Sequence, residues 1–176
     1  SQKPCGGKLH VLLILQRSFR FPDIWRAFFS QAPPGSYTVF IHCAKGCNQR
    51  EIDTEIPGAI VIPTVPSSRC WDLVTPHKAL SMAALDSGVH KDVLEKFLLA
   101  SDTTLPVKPF TYIFRELMSR RESDYCFHSE KSWPSVKMRY SRRRRREALY
   151  IEKGDGNTFF LVKHQQFVVL NRHDSQ

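Results

Sequence analysis

The segment "KLHVLLIL", residues 8–15, is a nearly unbroken apolar run with polar residues beyond its end. A run of that length fits a strand covered on both faces of a sheet. From Pro22 the period changes, and Ile24, Trp25, Phe28 and Phe29 recur at helical spacing with proline in the first turn. "APPGS" stops that helix, and "YTVFIHC", residues 37–43, predicts a second strand. Strand, helix and strand joined by short connections predict a parallel pair. "GAIVIPTV", residues 58–65, predicts a third strand. "TPHKALSMAALDSG" predicts a helix capped by Thr75, with Pro76 at its first position and Gly88 just past its end. Residues 93–100, "VLEKFLLA", lead into the loop "SDTTLPVKP", and "FTYIFRELMSRR" carries the spacing of a further amphipathic helix. Residues 122–146 show no clear period. "KGDGN" is a hairpin signal centred on Asp155-Gly156, and "TFFLVKHQQFVVL" reads as strand, divisible into two short pieces at residues 163–166.

This alternation predicts an α/β fold, a mostly parallel Rossmann-type sheet flanked by helices. Such sheets bind their ligands outside the carboxyl ends of the strands. Three polar clusters fall at those ends: Gln16-Arg17-Ser18, His42-Cys43-Ala44-Lys45 and Ser101-Asp102-Thr103-Thr104. Their convergence is the physical pointer to a site.

Length and composition narrow the picture. The 176 residues fit one domain, and the 41% hydrophobic and 24% charged fractions are ordinary for a globular chain. No apolar run approaches the roughly 20 residues that span a bilayer. The first residue is Ser1, so an upstream segment is expected to have been cleaved, disordered or left out, and it could have held a signal, transit or anchor peptide. The net charge of +9 is local: "KMRYSRRRRR", residues 137–146, holds seven cations, and the rest of the chain carries only +2. That basic loop, residues 131–147, is either a solvated surface or a docking arm for an acidic protein, with Arg142, Arg143, Arg144, Arg145 and Arg146 as its contacts. No aromatic stacking platform is interleaved with it, which argues against nucleic acid.

Five cysteines cannot all pair internally. Cys43-x3-Cys47, beside His42, has loose metal-ligand spacing, but a zinc site needs a second pair, so free or singly paired cysteines are expected. The chain has no phosphate-loop, dinucleotide or nucleophile-elbow motif. No Asp-x-Asp appears either. Glu51-Ile52-Asp53, in a polar stretch, comes nearest to it and reads as ordinary surface.

Five stretches, taken in order, resemble the core-2/I-branching glycosyltransferase family and its plant relatives: "KLHVLLILQRSFRFPDIWRAFF", "YTVFIHCAKG", "WDLVTPHKALSMAALDSG", "EKFLLASDTTLPVKPFTYIFREL" and "VKHQQFVVLNR". The resemblance implies a GT-A-like fold, with a strand in the region around residues 93–109. It also implies inverting transfer of a sugar from a nucleotide-sugar donor to an acceptor glycan, in a Golgi lumen. No cofactor is implied, and no divalent metal is expected, given the missing Asp-x-Asp. Donor contacts would come from Gln16, Arg17, His42 and Asp102. Lys163, Gln166 and Arg172 match the Lys, Gln and Arg of the family's final element, near the donor–acceptor junction.

Departures stand beside the matches. Cys43 occupies the place of an Asp after the His of the animal enzymes, and Thr104 that of an Asp two residues before the Pro. The family's general base lies downstream of the Lys/Gln/Arg element, so a catalytic portion is expected beyond Gln176, and no catalytic residue is assigned within these 176 residues. The chain is therefore either a transferase domain or a non-catalytic glycosyltransferase-like subunit of a larger assembly.

Overall fold

A computed structural model describes residues 6–67, 73–88, 93–124, 150–152, 158–160 and 168–176. The chain divides into two compact units, residues 1–124 with 169–176, and residues 125–168. The first unit carries a five-stranded sheet in the order β3-β2-β1-β4-β7. Its strands are β1 (Gly7–Leu15), β2 (Tyr37–Cys43), β3 (Ile60–Val61), β4 (Leu94–Ser101) and β7 (Val169–Asn171). The first four run parallel and β7 pairs antiparallel with β4. In the second unit, β5 (Tyr150–Glu152) pairs antiparallel with β6 (Thr158–Phe160). They flank the Asp155-Gly156 turn signal, whose own residues lie outside those described.

Helices cover both faces. They are α1 (Pro22–Phe29), α2 (Gln49–Glu55), α3 (Val74–Asp86), α4 (Phe110–Met118) and the short α5 (Arg172–Ser175). This is the α/β class expected, a mostly parallel sheet between helices, and it is consistent with a GT-A-like fold. Strand β1 sits at the centre, and Leu9 through Leu15 are all buried, as a strand covered on both sides requires.

Alternation divides the strand residues between the two faces. Leu9, Val11, Leu13 and Leu15 join Val39, Ile41 and Ala100 in one core with Trp25, Phe28 and Phe29 of α1, Ile52 of α2 and Phe110 of α4. The aromatics of this core stack on each other. Phe110 meets Phe28, Tyr37 and Phe114 at ring-centroid distances of 5.2, 5.7 and 5.5 Å. Helix α3 packs across β1 and β2, burying Pro76, Leu80 and Ala84 at four-residue spacing.

Several expectations are corrected. The third strand, predicted over residues 58–65, pairs only at Ile60 and Val61. Pro63 has no N–H for a ladder, and beyond it Thr64 and Val65 bond the end of β2 instead. On its outer side, the Gln49 amide donates to the Ala59 carbonyl at 2.7 Å and accepts from the Val61 N–H at 2.9 Å. Thr75 is not the cap of α3: the helix begins at Val74, and no side chain caps it. Pro76 lies in the first turn, where its missing N–H costs no helical bond. The stretch containing Glu51-Ile52-Asp53 is helical, capped by Asn48, whose side chain accepts from the Arg50 N–H. Residues 94–101, read as leading into a loop, form the strand β4 that the resemblance implied in this region.

Candidate functional site

Strands β1, β2 and β4 end side by side, and backbone hydrogen bonds carry the register past their ends. Ala44 and Lys45 donate N–H to the carbonyls of Leu15 and Gln16, at 2.9 and 3.0 Å, and Asp102 donates to the Ile14 carbonyl at 3.1 Å. The turn after β1 is thereby flanked by the Lys45 turn on one side and by Asp102 on the other. Gln16, Arg17 and Lys45 are exposed, and Asp102 is half-buried. The side chains of Arg17, Lys45 and Asp102 make no hydrogen bond or ion pair among the described residues. These groups are free to meet a ligand.

The turn after β4 has its hydroxyls engaged. The Ser101 N–H donates to Thr104 Oγ1 at 3.1 Å, the Thr104 N–H to the Ser101 carbonyl at 3.0 Å, and the Ser101 and Thr103 hydroxyls lie 3.0 Å apart. Thr104, at the place of a family Asp, shapes this turn and leaves Asp102 at its tip.

His42 is placed differently from the other three. It is fully buried, opposite Ile14 in the ladder, and its Nε2 lies 3.1 Å from the Val65 nitrogen and 3.3 Å from the Val65 carbonyl oxygen. Burial pushes its pKa below the usual histidine value, while the contact of Nε2 with the Val65 carbonyl acts in the opposite direction. The ring is therefore neutral, and its Nδ1 is buried with no partner among the described residues. His42 acts first as a latch that holds residues 64–65 over the end of β2.

Cys43 and Cys47 form a disulfide, a single pair within the expectation of free or singly paired cysteines, and it removes these two thiols from any metal role. Among the described residues no cluster of three or more His, Cys, Asp or Glu is placed to hold a metal ion.

Arg172 does not join the group. By the β4–β7 register it stands beside Glu95, at the opposite end of β4 from Asp102 and about 20 Å away at strand rise. Its Nε donates to Glu95 Oε2 at 2.6 Å, and its terminal amines donate to the carbonyls of Leu85 and Gly88 at 3.2 and 2.8 Å. Glu95 Oε1 in turn accepts from His10 Nε2 at 3.2 Å, and the Thr38 hydroxyl lies 2.7 Å from His10 Nδ1. This polar chain crosses three strands, β2, β1 and β4, beneath α3 and ends at the first residue of α5. Sequence reasoning missed it because its members are separated by 28, 85 and 77 positions. The available signal was His10, a lone polar group inside an apolar strand. Lys163, Gln166 and the arginines 142–146 lie outside the described residues.

Burial lowers the pKa of His10, His42 and His77; at His10 the Glu95 hydrogen bond opposes the shift. With the folded values below the ordinary 6.5, the unfolded chain binds protons first as the pH falls. Stability is thus fully present above about pH 6.5 and is lost as the pH drops through the lowered folded values. Thermal melts should show a flat melting temperature above about pH 7 and a decline below about pH 6. A flat profile down to about pH 5 would contradict the neutral burial of these rings.

A Core-2/I-Branching enzyme family model matches residues 11–174, nearly the whole chain. The chain belongs to the core-2/I-branching family, a family of glycosyltransferase-like proteins. No curated protein sequence matches it. Among the described residues, no helix is long and apolar enough to cross a membrane.

Proposed function

We propose that the carboxyl-end site binds a uridine-type nucleotide-sugar and that the domain serves inverting sugar transfer to an acceptor glycan, without a divalent metal, in a Golgi lumen. The observation that carries this reading is the meeting of two unpaired cations, Arg17 and Lys45, with the free carboxylate of Asp102 across three adjacent strand ends. A diphosphate needs fixed cations, and more so as it departs with its charge. A half-buried carboxylate with open acceptor positions suits sugar or ribose hydroxyls. Gln16 lies between the two and can donate or accept. His42 supports the reading from beneath, as the residue that positions the neighbouring segment and keeps its Nδ1 without a partner among the described residues. The family resemblance, rather than any described geometry, assigns Lys163 and Gln166 to the same cleft.

Calorimetric titration with uridine diphosphate tests this. We expect measurable binding, weakened about tenfold by Arg17→Ala or Lys45→Ala, in keeping with a lost charge-assisted bond. Lys78→Ala, on the exposed side of α3, should leave it unchanged. Absence of binding at about 1 mM nucleotide would remove the reading. The second reading, a non-catalytic subunit that docks an acidic partner through Arg142 to Arg146, is favoured by one feature. Cys43, at the place of a family Asp, is committed to a disulfide and a buried position. Nucleotide binding without transfer activity would select it.

A further inference from the structure

The disulfide joins the last residue of β2 to the residue just before the Asn48 cap of α2, and it encloses only Ala44, Lys45 and Gly46. A loop that short removes little entropy from the unfolded chain, so its contribution to global stability is small beside that of a long-range crosslink. Its effect is local. The three enclosed residues are exposed at the ligand end and include one of the two free cations. Gly46 sits at φ +71°, a conformation that suits glycine, and its N–H closes the turn on the Cys43 carbonyl at 3.1 Å.

The two sulfurs differ in access. Cys43 is 1% exposed and belongs to the core, whereas Cys47 is half-buried. The reduced form is also accommodated: Cys43 Sγ lies 3.7 Å from the Arg17 carbonyl, an acceptor already in place for a thiol proton. Reduction would give Cys43 a partner in the other cation-bearing turn.

We propose that Cys43 and Cys47 form a reversible thiol–disulfide latch that sets how firmly the Lys45 turn is held at the ligand-binding end. The co-reactant is a dithiol reductant. Its thiolate attacks Cys47 Sγ, the accessible sulfur, forming a mixed disulfide as the Cys43–Cys47 bond breaks and Cys43 leaves as a thiolate that takes up a proton. The second thiol of the reductant then loses its proton and attacks its own sulfur in the mixed disulfide, releasing Cys47 as a thiolate that is protonated in turn. Two electrons and two protons pass to the protein, and the reductant is oxidised to its cyclic disulfide. With the latch open, the turn keeps its backbone bonds to Leu15 and Gln16 but loses its covalent closure. As a control on nucleotide affinity, the inference rests on the proposed donor site.

The test uses the whole chain, oxidised and then treated with dithiothreitol without denaturant. Mass spectrometry after alkylation should show Cys43 and Cys47 reduced in the folded protein. Amide hydrogen exchange at residues 44–47 should quicken about tenfold or more, while β1 and β4 keep their protection. The Tm should fall by less than about 8 °C. Uridine diphosphate affinity should weaken severalfold, and Cys47→Ser should reproduce the reduced state without reductant. Reduction only upon global unfolding, or unchanged exchange at 44–47, would overturn the latch. Equal nucleotide affinity in both states would overturn its control of the site. If neither state binds nucleotide while the exchange responds, the donor-site reading falls and the latch stands.

Discussion

Glu95→Ala should lower the unfolding free energy by about 3 kcal/mol, read as a shift in the urea midpoint at an unchanged slope. The carboxylate is buried on the α3 side of β4 and serves His10 with one oxygen and Arg172 with the other. Removing it strands both partners. His10 keeps its Thr38 contact but loses the acceptor for Nε2–H, which has no route to water. Arg172 keeps the Leu85 and Gly88 carbonyls, and its side chain is 21% exposed, so solvent relieves part of the loss. That relief sets the estimate at the lower end of the 3–5 kcal/mol typical for a broken buried ion pair. Replacing both charges together, as Glu95→Leu with Arg172→Met, should recover much of the deficit, because the desolvation of two ions is then no longer required. A loss under about 1 kcal/mol for the single change would show that the chain does not hold the α3 end to the sheet.

Phe110→Ala comes next, at about 4 kcal/mol, through a cavity rather than a charge. Phe110 is fully buried at the first position of α4, and its ring touches α1, β2 and α4 through Phe28, Tyr37 and Phe114. Three elements cannot collapse onto one vacancy without moving apart from their other neighbours, so the hole stays largely open. Phe110→Leu should cost less than half as much. The substitution also loosens the anchor of the loop that runs from Asp102 to Pro109, and protease cleavage there should rise with the loss of stability. Equal stability of the Ala and Leu variants would refute the packing argument.

The parts of the fold legible in the sequence were those where local pattern and tertiary environment agree. Strand β1 is apolar throughout because it is buried throughout, and α1 shows its buried stripe in Trp25, Phe28 and Phe29. Strand β4 disagreed with its own sequence. Leu94, Glu95 and Lys96 favour helix or surface when taken alone. The sheet accepts the two charges only because distant groups answer them: His10 and Arg172 for Glu95, and the Glu122 carbonyl and Asp124 for Lys96. No local window contains those partners. Similarly, residues 62–65 look like strand but spend their hydrogen bonds on the end of β2, and nothing short of the fold reveals that.

The site was legible to the extent that strand ends are. Gln16, Arg17 and Asp102 fall together because a parallel sheet puts them together. His42 belongs to the same end but lies beneath its surface, a difference set by burial that spacing does not encode. Arg172 fits the family element in sequence, yet its antiparallel strand delivers it to the far end of β4, where it closes a charge chain. The disulfide was within reach of the Cys43-x3-Cys47 spacing, but that spacing alone does not distinguish a bond from two thiols.

The Gln49 amide beside β3 also affects how copies of the protein meet. A side-chain amide offers one donor and one acceptor, as a peptide unit does, and here both are spent on the outward groups of Ala59 and Val61. An extended segment from another molecule would find those two positions already taken. Among the described residues, the parallel edge of the sheet therefore stops at Gln49, the first residue of α2, which protects it from strand-to-strand polymerisation.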